Sequence, residues 1–108
     1  MAEVLGVELG PDDPTSMASY LPGRADVWER VVDEQGLRKI PMRDLLGESH
    51  HYADVCFAYG ATEPPPPTFV STVKIKQAGF TEARDTEETF CYWLQKLIER
   101  RVIPGPDT

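Results

Sequence analysis

The chain has 108 residues, 41% of them hydrophobic and 27% charged, which is the length of one domain with a globular composition. Eleven basic against eighteen acidic residues leave a net charge of −7, which repels nucleic-acid backbones and anionic lipid surfaces and excludes both as expected partners. No apolar run approaches the roughly 20 residues of a membrane span, residues 1–6 carry an acid and no basic cluster, and the expected location is the cytoplasm.

The first nine residues hold a short apolar cluster, Val4, Leu5, Val7 and Leu9, and one short extended piece is expected over 7–9. Pro11, Asp12, Asp13 and Pro14 read as a turn, and Pro22-Gly23 breaks the chain again. The first clear helix is predicted over 26–35. Asp26 is placed to cap its free N–H groups, Glu29 to complete a capping box, and Val27, Trp28, Val31 and Val32 share one face. Gly36 supplies a left-handed position behind that helix, with Leu37 folding back on its last turn. Pro41 then opens a short turn over 42–46, which Gly47 ends.

A second helix is predicted from a Ser49 cap to near Gly60, with Tyr52, Val55, Cys56 and Tyr59 on one face. Pro64, Pro65, Pro66 and Pro67 admit neither helix nor sheet ladder and predict an extended polyproline connector. A third helix is expected over 71–78, closed by Gly79 with Phe80 behind it. The last helix starts at an Asp85 cap with Glu88 completing the box, and Phe90, Trp93, Leu94, Leu97 and Ile98 form its apolar stripe. Acids crowd its start and Arg100 and Arg101 its end, as the macrodipole favours. The reading is mainly α: one domain of about five helices, without a sheet. It divides into a leading segment over 1–25, two main helices over 26–60, a Pro-rich connector over 61–70 and two C-terminal helices over 71–104.

Catalytic equipment is sparse. Tyr92 and Lys96 match Y-x-x-x-K, a spacing at which a lysine on the same helix face lowers a phenol's pKa for proton donation. With no cofactor motif upstream, an aromatic at the core edge and a solvated lysine explain that match. His50, His51, Asp54 and Cys56 are metal-ligand types, but a closed site needs about four converging ligands, and no metal is expected. Cys56 and Cys91 lie in half-apolar helical patterns and are expected as reduced, buried thiols, with a disulfide the alternative that spacing does not decide. The four prolines suit a stiff connector better than a ligand for an aromatic groove. No glycine-rich phosphate loop is present, so no catalytic and no cofactor-binding residue is assigned.

Several segments in order carry a resemblance. They are Val27-Trp28-Glu29 leading to Glu34-Gln35-Gly36-Leu37, then Tyr52-Ala53-Asp54, then Ser71, Thr72, Val73 and Lys74 with Gln77-Ala78-Gly79-Phe80. Asp85-Thr86, the helix with Trp93 and Val102-Ile103-Pro104 close the set, and Leu5-Gly6-Val7 looks like the approach to it. In this order they resemble the C-terminal, substrate-facing lobe of the progesterone 5β-reductase and iridoid synthase group (PRISE) of extended short-chain dehydrogenase/reductases, within the NAD-dependent epimerase/dehydratase superfamily.

The resemblance implies reduction of an enone C=C bond by NADPH or NADH, with the nucleotide site and the catalytic tyrosine and lysine on a preceding Rossmann lobe. Only pocket-lining roles transfer: Tyr52 to an aromatic facing the substrate, His50 and His51 to bulky aromatics they replace, and Thr72 to a further pocket position. The histidines imply a more polar pocket than a steroid site. The chain is therefore expected to be inactive alone, with an apolar face for a Rossmann-lobe chain, for self-association or for a hydrophobic small molecule. A stand-alone binding or protein-interaction module is the alternative.

Overall fold

A computed structural model describes residues 1–106. Among these the chain is helical, without strands: seven α-helices and one short 3-10 turn. Four of the helices are those the apolar spacing predicts, a fifth forms over the turn expected at 42–46, and two single-turn helices were not read from it. These are α1, Ala2–Leu5, and α2, Met17–Tyr20. The extended piece expected over 7–9 is irregular coil, since nothing lies beside it to complete a ladder.

Helix α3, Ala25–Gln35, starts differently from its predicted cap. A 3-10 turn, Pro22–Arg24, feeds directly into it, so its first N–H groups follow a turn and no side chain caps them. Asp26 instead sits in the first turn, where its charge favours the positive end of the helix dipole. The far end is as expected. Gly36 adopts φ 60°, and Leu37 N–H donates to the Val32 carbonyl at 2.9 Å.

Helix α4, Met42–Leu46, forms where a short turn was expected, with the expected bounds, whereas α5, Ser49–Cys56, is shorter than expected. Ser49 lies inside α5 and does not cap it; Glu48 holds the cap position without a side-chain bond. Ala58 enters the left-handed region at φ 52° and turns the chain before Gly60. Beyond the prolines come α6, Val73–Gln77, and α7, Thr86–Glu99. Asp85 caps α7 as predicted, accepting from the Glu88 N–H at 2.9 Å.

Packing is confined to a few neighbours: α1 on α7, α3 on α4 and the 3-10 turn, and α2 on α5 and the same turn. Val32, 5% exposed, is the one described residue that is buried. The N-terminal and C-terminal segments close together, and a Cβ added at Gly6 (φ 68°) would overlap the Pro106 ring. The Arg38 N–H reaches the Arg101 carbonyl at 2.8 Å and ties the turn after α3 to the end of α7.

Away from this body the molecule is open. Every residue from 59 to 90 is exposed, and α6 packs extensively on no other element. The radius of gyration is 17.6 Å, against about 13 Å for a compact chain of this length. The accessible surface is 9614 Å², whereas a compact monomer of this mass exposes about 6,000 Å². No helix among the described residues is long and apolar enough to cross a membrane.

Candidate functional site

The most organised polar centre lies where α2 meets α5. Asp54, on α5, points its carboxylate at the start of α2. Ser16 Oγ donates to Oδ2 at 2.6 Å, the Met17 N–H to Oδ1 at 2.6 Å, and the Ala18 N–H to Oδ2 at 3.4 Å. Chiefly the Ser16 hydrogen bond, and then those backbone donors, hold the Asp54 carboxyl below the usual carboxylate range against the opposing cost of desolvation. Asp54 is thus a capping group supplied from a distant helix. It ties α5, the helix that carries His50, His51 and Tyr52, to the start of α2.

His50 is half-buried, and its Nδ1 is buried without a hydrogen-bond partner. Its ring lies 4.2 Å from that of His51, tilted by 37°, and His51 Nε2 is 3.6 Å from the Glu48 carboxylate. His50 lines a cleft of about 250 Å³ with the apolar side chains of Pro22, Ala25, Met42 and Leu46. Tyr52 is 68% exposed and points to solvent. Thr72 holds the cap position of α6 without a side-chain bond, among exposed residues; the two histidine rings are neighbours, but His50 alone of the four candidates lines the cleft.

The other sequence candidates have simpler surroundings. Lys96 Nζ donates to Glu99 Oε2 at 2.7 Å and lies 5.7 Å from the centre of the Tyr92 ring. The Glu99 hydrogen bond, then its charge, raise the Lys96 pKa and favour the ammonium. Tyr92 in turn meets Trp93 edge-on at 5.2 Å. Both cysteines are free thiols; Cys91 is half-buried but Cys56 is exposed, contrary to expectation, because the α5 face that carries it has no neighbour. Among the described residues, no three His, Cys, Asp or Glu side chains form a group that could hold a metal ion.

Sequence reasoning missed the Ser16–Asp54 pair. Ser16 is a typical helix cap by type, but the acid that joins it is 38 positions away, beyond any local pattern.

No family model and no solved structure matches the chain. It is similar to (S)-8-oxocitronellyl enol synthase CYC1 of Camptotheca acuminata, with 26% identity over 103 residues. The match covers 94% of this chain and 24% of that protein, so the chain spans about a quarter of its relative's length. The similarity is a distant relation to one region of that enzyme.

Proposed function

We propose that this chain is the substrate-facing lobe of an NAD(P)H-dependent, short-chain dehydrogenase/reductase-type enone reductase, working only beside a nucleotide-binding Rossmann lobe. One observation carries the reading: the match to a quarter of an enol synthase runs along nearly the whole of this chain. The surface supports it, because Tyr52 and Val55 on α5 and Phe90, Tyr92 and Trp93 on α7 all face outward. Such a face suits a covering lobe.

The sequence offers no glycine-rich phosphate loop, so in this reading every dinucleotide contact belongs to the other lobe. The dinucleotide, bound there, supplies the hydride. The role of this chain is to bind and orient: Tyr52, exposed on α5, faces the substrate, and His50 and His51 make the wall polar enough for an oxygenated substrate. Docking of the second lobe excludes water from that space.

The test mixes the purified chain with the Camptotheca enzyme lacking the matched quarter and follows NADPH consumption with an α,β-unsaturated carbonyl compound. Turnover by the mixture and none by either part is expected, and Tyr52→Ala should raise KM more than it lowers kcat. A mixture that neither associates nor turns over overturns the reading. The cleft beside His50 favours a second reading, a stand-alone binder of small apolar molecules. Saturable binding of a hydrophobic probe, abolished by Leu46→Asp and unaffected by the Rossmann lobe, would support it.

A further inference from the structure

We infer that two copies of this chain exchange arms, segment 69–80 of each docking in the cleft at the root of the other's arm. Along this segment Phe69 is 91% exposed, and Val70, Val73, Ile75 and Phe80 are exposed as well. The same stretch holds Lys74 and Lys76 and no acid, in a chain whose net charge is −7. It is an apolar, cationic element on an anionic molecule.

A surface of opposite character lies at the arm's root. A cleft of about 720 Å³ opens where the chain leaves α5 at Gly60 and Ala61. Met17, Phe57 and Tyr59 give it apolar walls, and Asp12 and Asp13 stand on its rim. Phe57 is 86% exposed. Neither those two aspartates nor the two lysines have an ion-pair partner among the described residues. Cleft and arm are therefore complementary in polarity and in charge.

The connector decides which copy's arm fills the cleft. Four consecutive prolines extend about 12 Å and resist bending, and no residue of segment 69–80 lines its own chain's cleft. A second copy whose arm runs antiparallel, related by a two-fold axis beside the proline connector rather than at its root, meets no such obstacle, and the contact is then made twice. Aromatic side chains bury about 150–250 Å² each. Phe69, Phe80, Phe57 and Tyr59, with three aliphatic residues, supply roughly 800 Å² per contact, and two contacts reach the ~1,600 Å² of a stable interface.

Light scattering during size-exclusion chromatography of the full chain across a concentration series tests this. A dimer of the 12.1 kDa chain is expected. Lys74→Glu with Lys76→Glu should weaken it about tenfold, and adding Asp12→Lys with Asp13→Lys should restore it. Because residues 74 and 76 are solvated in the single copy, circular dichroism should be unchanged in the lysine variant. A wild-type monomer at all concentrations, or a dimer indifferent to both the lysine reversal and Phe69→Asp, overturns the exchange.

Discussion

The segment over 59–90 and the helical body on either side of it contain the same kinds of residue, yet they use them differently. The body buries Val32 of α3, packs α3 on α4, seats α1 on α7 and joins the turn after α3 to the end of α7 through the Arg38–Arg101 hydrogen bond. The arm holds Phe69, Val70, Val73, Ile75 and Phe80 in water. The difference lies in support, since a single-turn helix such as α6 cannot persist on propensity alone and needs a neighbour to bury its apolar side chains. Stability is accordingly expected to be uneven, with the body opening only globally and the arm opening locally.

Four measurements can break or sharpen that contrast. The largest effect is expected at Val32. Val32→Ala leaves a void at the one buried position among the described residues and should cost about 2 kcal/mol, lowering the midpoint of a circular-dichroism melt by roughly 10 °C. A shift of a degree or less would mean the body has no working core. Next comes Asp85→Ala, which removes the α7 cap at the junction of arm and body and should cost about 1 kcal/mol. No change there would assign the first turn of α7 to the arm.

A smaller, local effect is expected on acidification. The Asp54 carboxyl titrates lower in the folded chain than in the unfolded one, so its contribution is present above the ordinary carboxylate pKa and fades as pH falls through the lowered value. The protection factors of the Met17 and Ala18 amides, exchange rates taken relative to the free amide at the same pH, should fall in that acidic window while Val32 stays protected. Simultaneous loss of both would join α2 and α5 to the body as a single cooperative unit. The smallest effect is expected from Phe69→Ser, within about 0.5 kcal/mol in the melt of the monomer. A larger loss would show that the arm packs on its own chain.

Much of the helical layout was readable from residue spacing. The predicted spans of α3 and α7 match, the turn expected over 42–46 is helix α4, Asp85 caps where the capping box placed it, and Gly36 ends α3 as its type suggests. The errors share a cause. Asp26 and Ser49 are caps by type, but a preceding turn and the Glu48 position took over those helix starts. Cys56 looked interior from its helical face, but no partner element lies over that face. Of the candidate pocket residues, His50 and His51 were legible as neighbours, whereas the separation of His51, Tyr52 and Thr72 from the His50 cleft was not.

By itself, the sequence determined the class of structure and the positions of the longer helices, because apolar periodicity, caps and prolines act over a few residues. It also carried the ordered motifs behind the resemblance to a reductase lobe. Only the tertiary structure decided that Ser16 and Asp54 meet across 38 positions, that Val32 alone among the described residues is buried and that residues 59–90 stand free. Those outcomes depend on which surfaces find one another, and burial is a property of pairs of elements rather than of any single stretch of chain.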